Sequence, residues 1–184
     1  MRYGLLIENY LAGPEILRRS VSGMSDQQLD ATPIPFKWST RQIVLHISDF
    51  DLIYADHMKR VIAESEPKLL DGDRKLFAAH LAYDKRDVDE EIRMIKAVRR
   101  HMGRILRSVD ADAFERKGIH SKHGPVTLAD LLQRAADDVP HHAQYIEEKR
   151  KALQVGERAM PFHLASVGVR LRSEARDDVC HSGA

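Results

Sequence analysis

Residues 39–64, STRQIVLHISDFDLIYADHMKRVIAE, decide the fold. Ser39-Thr40-Arg41-Gln42 has the spacing of a capping box. The serine hydroxyl accepts the third backbone N–H of a new helix, and the glutamine side chain answers the serine's own N–H. Ile43, Ile47, Phe50, Tyr54, Met58 and Val61 then recur at three- and four-residue intervals, which lays one apolar stripe along a long helix.

The same period returns on both sides of this segment. Upstream, Pro14 to Val21 reads as a helix with Pro14 at or near its first turn. Gly4 to Ala12 precedes it, either continuous with it or bent at Gly13-Pro14. Ser25-Asp26-Gln27-Gln28 opens one short turn, and Pro33 and Pro35 hold residues 30–37 extended. Downstream, Arg74 to Tyr83 forms a short helix within a long link. Asp87 to Ser108 then turns Val88, Ile92, Ile95, Met102 and Ile105 inward, with Val109 just beyond. Lys96, Arg99, Arg100 and Arg104 on that segment read as a solvated face. Residues 110–126 are an irregular connection. Thr127 caps the last helix, which carries Leu128, Leu131, Leu132, Ala135, Val139, Ile146 and Leu153. Strand alternation is scarce. The pattern predicts an all-α, antiparallel four-helix bundle over residues 1–154 with a long second connection, followed by a C-terminal extension at 155–184.

Composition narrows the function. Basic residues number 29 and acidic 28, a net charge of +1, so no electrostatic grip on nucleic acid or an anionic membrane is expected. No apolar run approaches the roughly 20 residues of a membrane span. Glu8 interrupts any reading of the N-terminus as a signal peptide, which leaves a cytoplasmic location as the expectation. The single cysteine, Cys180, forms no intramolecular disulfide.

The chemistry gathers on two helices. His46 shares the stripe of Ile43, Ile47 and Phe50, and His142 shares that of Leu131, Ala135 and Ile146, so both face the bundle interior. Asp138 stands four residues before His142 on the same helix face. Two neutral imidazoles and a carboxylate suit Zn²⁺, Ni²⁺ or Fe²⁺, with coordination positions left for water or substrate. A plain Asp–His hydrogen-bonded pair is the competing explanation, since a buried carboxylate must find a partner. Pro140, between Asp138 and His142, predicts a kink. Asp49 is placed to accept a hydrogen bond from the His46 imidazole. His57 lies too far along the axis to join the same ion. His120 and His123 flank the entry to the last helix and are expected to line the mouth of the site. Trp38 reads as an apolar plug beneath the second helix.

These residues resemble a known family. Trp38-Ser39, His46 and Asp49 look like the W-S…H-x-x-D start of the second helix in the DinB/YfiT-like superfamily. Gly118-Ile119-His120, Gly124, Thr127-Leu128 and Leu131-Leu132 resemble its link into the last helix. DVPHHAQYI at 138–146 is similar to its closing motif. The resemblance implies a four-helix bundle, commonly a homodimer, with a divalent metal on the positions of His46, Asp138 and His142. Asp138 stands where the family's usual histidine would be. The resemblance further implies a small-molecule substrate and either thiol-dependent S-transfer, with a low-molecular-weight thiol such as bacillithiol or mycothiol, or hydrolysis. Asp49 and His141 are the first candidates for proton handling. The alternative is a non-catalytic dimeric bundle serving as a binding or structural module.

Overall fold

The computed structural model describes residues 3–159. Residues 160–184, with Cys180 and most of the expected extension, lie outside the described residues. Four long helices form the core: α1 (Gly4–Val21), α3 (Thr40–Ala63), α5 (Val88–Ser108) and α6 (Leu128–Ala159). Short helices α2 (Asp26–Asp30) and α4 (Arg74–His80) lie in the connections. α1 packs against α5 and α6, and α3 packs against the same two, so α1 and α3 occupy opposite corners of the bundle.

Local chemistry sets the helix starts. Ser39 and Gln42 close the expected capping box on α3, as Ser25 and Gln28 do on α2. Asp87 caps α5 through the Glu90 N–H, and Thr127 and Asp130 exchange hydrogen bonds at the head of α6. α1 departs from expectation. It runs unbroken through Gly13-Pro14, which places Pro14 in its interior. α6 likewise continues as helix through Pro140.

The connection at 110–126 is more ordered than expected. A 3₁₀ turn at Ala111–Glu115 leads into β2 (Lys117–His120) and β3 (Gly124–Thr127). These pair antiparallel, and β1 (Lys68–Leu69) adds to β2 in parallel, with Leu69 opposite His120. Strands of two and four residues are too short for alternation to separate them from turns, so the sheet is invisible to the pattern.

The apolar core falls into two clusters. One gathers Ile7, Tyr10, Met58, Met102, Leu106 and Leu132; the other gathers Leu17, Ile43, Ile47, Ile95, Val139 and Ile146. Between them lies a polar layer. Arg99, expected on a solvated face, is 1% exposed, and its partner Asp51 is 2% exposed. The guanidinium donates to Asp51 Oδ1 through Nε at 2.9 Å and stands 2.7 Å from it at Nη2. It also donates to the backbone oxygens of Tyr10 (2.9 Å) and Ala135 (3.0 Å). Arg99 therefore binds all three other core helices.

Gly13 and Pro14 build the socket. Pro14 has no amide hydrogen, so the Tyr10 carbonyl, four residues earlier, has lost its helical donor. Arg99 Nη1 takes that donor's place. A Cβ at position 13 would stand 2.1 Å from the same Nη1, so only glycine leaves room for the arginine.

Truncating one partner of such a pair strands the other charge in the core, which costs about 3–5 kcal/mol. Asp51→Ala should lower unfolding stability in urea by that order, and the double variant Asp51→Leu/Arg99→Met should recover most of the loss. Wild-type stability in Asp51→Ala would show that the layer does not matter.

Candidate functional site

The capping box fixes the start of α3, and His46 lies on its first two turns facing α6. On α6, Asp138 and His142 are one turn apart, with His142 Nε2 3.5 Å from Asp138 Oδ1. The His46 and His142 rings meet edge to face, 5.2 Å between centroids. The three side chains named from sequence are thus neighbours. They are not a converged ligand set: among the described residues no three His, Cys, Asp or Glu side chains stand together as a ready metal cage.

Both imidazoles are buried, and neither Nδ1 has a hydrogen-bond partner. Burial is the main cause that pushes His46 down to about 4; the neighbouring His142 adds to it, and Asp138 opposes it. Burial likewise takes His142 to about 4, helped by His141, Arg74 and Lys149. Both rings are therefore neutral at neutral pH, with lone pairs available. Burial raises Asp138 above the ordinary carboxylate range, while His46 and Arg99 pull it back. The Asp138 side chain keeps 21% of its surface exposed, so the cluster is not sealed from solvent.

Aromatic rings line the surroundings. Trp38 meets His46 edge to face at 5.3 Å, and Phe50 tilts over it at 4.4 Å. Phe77, on α4, reaches Phe50 at 5.9 Å. Tyr145 lies 6.1 Å from His142 and 5.0 Å from His141. Trp38 therefore packs directly on a candidate ligand as well as beneath the helix.

Other expected residues sit elsewhere. The Asp49 carboxylate accepts from Tyr83 Oη (2.8 Å) and from Arg86 Nη1 and Nη2 (3.1 and 2.9 Å), and its hydrogen bonds go there rather than to His46. His141 is exposed beside His142, with ring centroids 5.4 Å apart. His120 and His123 do not join His46. They group with His57 at the small sheet, with centroids 5.6 Å (His57–His120) and 4.8 Å (His120–His123) apart. There His57 Nε2 bonds the Leu70 oxygen, and His120 Nδ1 accepts the Lys122 N–H. An Nδ1 that accepts leaves the proton on Nε2, so neutral His120 offers no lone pair on its other nitrogen.

Two cations near the cluster had no sequence signal. Arg74 opens α4, whose position over α3 cannot be read from a long link. Lys149 lies two turns beyond His142 and is buried, although lysine normally marks a solvated face.

The DinB superfamily model matches residues 10–146. A protein of Oceanobacillus iheyensis is 24% identical over 140 residues, covering 75% of this chain and 81% of its own. One of Bacillus cereus is 24% identical over 140 residues, covering 76% and 80%. Both are named, provisionally, as metal-dependent hydrolases. Among solved structures, YfiT from Bacillus subtilis superposes with a TM-score of 0.77 at 22% identity, covering 82% of this chain and 86% of that one. It is described as a probable metal-dependent hydrolase with an unusual four-helix bundle topology. No described helix is long and apolar enough to cross a membrane.

The two depressed histidines set a pH dependence in protein stripped of divalent ions. Their folded values are about 4, against 6.5 for the ordinary imidazole. Between those limits the unfolded chain binds more protons, so stability is full above the upper one and falls as pH drops toward the lower. The slope should be on the order of 1 kcal/mol per pH unit for each histidine. Urea midpoints measured across this window should fall with pH, and fall less steeply in His46→Gln and His142→Gln. An unchanged slope in both variants would place the titration elsewhere.

Proposed function

The chain belongs to the DinB superfamily, and on that premise we propose that it is a divalent-metal-dependent enzyme whose ion is held by His46, Asp138 and His142. The observation that carries this reading is the pair of buried neutral imidazoles with unpartnered Nδ1 atoms beside a partly buried carboxylate. A buried polar atom without a partner costs about 1–3 kcal/mol, so such a cluster is unfavourable unless something else uses it. An Asp–His pair alone does not account for it. At 3.5 Å the His142–Asp138 contact is at the outer limit of a hydrogen bond, and it leaves both Nδ1 atoms unsatisfied.

The donor set fits zinc, nickel or iron: two nitrogens and one carboxylate, whose side chains would have to turn to converge on one ion. A bound ion would supply Lewis acidity toward a water, for hydrolysis, or toward a low-molecular-weight thiol, for S-transfer. The chain's own groups do the rest. Burial keeps His46 and His142 unprotonated, so no proton competes for their lone pairs near neutral pH. Trp38 and Phe50 fix the His46 ring by packing on it. His141, exposed and in ring contact with His142 and Tyr145, is the group placed to exchange a proton with solvent. Asp49, gripped by Arg86, is assigned a supporting part: Arg86 also binds Glu91, and Ser48 donates to the same Glu91, which ties α3 to α5 beside the site.

Elemental analysis by mass spectrometry on untagged protein, purified without chelators, should find near-stoichiometric zinc, nickel or iron. His142→Ala should lose it while its circular dichroism stays helical. Equal metal content in wild type and variant would remove the assignment. No metal in either after reconstitution would leave the cluster a structural one.

A further inference from the structure

The long connection between α3 and α5 runs back along the outside of α3. Leu70 meets that helix at His57, whose Nε2 bonds the Leu70 oxygen at 3.0 Å. Gly72 lies against Ile53, since a Cβ there would stand 2.8 Å from Ile53 Cδ1. Phe77 lies against Phe50, and Tyr83 and Arg86 both bind Asp49. Successive residues of the connection thus touch α3 at His57, Ile53, Phe50 and Asp49 in turn, as a strap laid antiparallel to the helix.

Both ends of the strap are pinned. Leu69 is fully buried, and its oxygen accepts the Ser121 N–H at 2.9 Å within the small sheet. Asp71 is held by Lys122 at 2.6 Å and donates its N–H to Ser121 Oγ. At the far end Tyr83 is buried with its hydroxyl on Asp49. Arg86 binds Asp49 and Glu91, and its carbonyl accepts from Arg41 Nη1 at 3.0 Å. The middle differs. α4 has no buried residue. Phe77 and Ala78 rest partly buried on the cluster of Leu17, Ile43 and Val139, while Leu76 and Leu81 are exposed. The helix runs out into Ala82, whose φ of 51° is left-handed, a conformation that glycine adopts freely and alanine resists. Few buried contacts between two firmly held ends mark the part of a chain that opens most readily.

We infer that α4 is a lid on the candidate site. It lifts from α3 between Gly72 and Ala82 while the pinned ends stay in place. Lifting takes Phe77 off Phe50 and frees Phe50, the ring that tilts over His46, to swing aside. Closing again shuts water out of the space around His46. This deepens the proposed function and rests on it for what the lid admits; the motion itself belongs to the chain with or without an ion.

Thiol labelling reads the motion without metal or reaction. Cys180 is replaced by serine, and one cysteine is placed either beneath the lid, His46→Cys, or in the opposite apolar cluster, Ala136→Cys. Both positions are buried, at 6% and 3% exposure. Reaction with an aromatic disulfide reagent is followed at urea concentrations below the unfolding transition, with circular dichroism checking that each variant is folded. His46→Cys should react many times faster than Ala136→Cys, at a rate that hardly changes with urea, because lifting a lid exposes little surface. The Ala136→Cys rate should climb steeply with urea, since global unfolding is what exposes it. Adding Phe77→Ala should speed His46→Cys by roughly tenfold and keep its urea dependence shallow. Equal urea slopes at the two positions, no acceleration by Phe77→Ala, or labelling of His46→Cys as fast as an unstructured thiol would each overturn the inference. The metal reading is decided apart from this, by the metal content of wild type, so either can fail while the other stands.

Discussion

A buried arginine must satisfy up to five N–H donors and one full charge, and that demand organises this molecule. Arg99 meets it with a carboxylate from α3 and carbonyls from α1 and α6. Its guanidinium also stacks over the Tyr10 ring, 4.6 Å from the centroid. Apolar packing alone would tolerate sliding of one helix along another, because leucine-rich surfaces are nearly interchangeable. A charge with fixed partners does not. The polar layer therefore sets the relative height of the four helices, and the two apolar clusters fill in above and below it.

The three candidate ligands, His46, Asp138 and His142, inherit their positions from this layer. Ala135, whose carbonyl Arg99 holds, is one turn before Asp138 on α6, and Asp51 is just over one turn beyond His46 on α3. Fixing 135 against 51 also fixes 138 and 142 against 46. The link is electrostatic too: the Arg99 charge pulls Asp138 downward, and Asp138 pushes Asp51 upward. The anchor and the candidate site share one low-dielectric region, so a change in either is felt by the other.

Much of this was legible from spacing. The capping boxes at Ser25 and Ser39 and the cap at Thr127 announced three helix starts, because the residues that make them are local. The inward direction of His46, Asp138 and His142 followed from the helical period. What escaped was whatever depends on partners far apart in sequence. Arg99 falls on the stripe of Ile92, Ile95, Met102 and Leu106, yet composition alone places an arginine in water; only Asp51, equally inward on its own helix, reveals why it is not. Pro14 looked like a helix start because proline suits a first turn, whereas the donor that compensates for it in mid-helix comes from α5. The sheet and the docking of α4 lie in a long link whose path no periodicity constrains.

The Gly13-Pro14 socket carries a consequence for how the chain assembles. Dehydrating a guanidinium before its acceptors have arrived is uphill, and those acceptors sit on three different helices. A half-built bundle of any two helices would leave the arginine wet or stranded, so partial assemblies gain little from closing early. The chain is therefore steered toward docking its helices together, late and in a single step. Pro14 withholds an N–H from its own helix, and the carbonyl so released is satisfied only once α5 delivers Arg99.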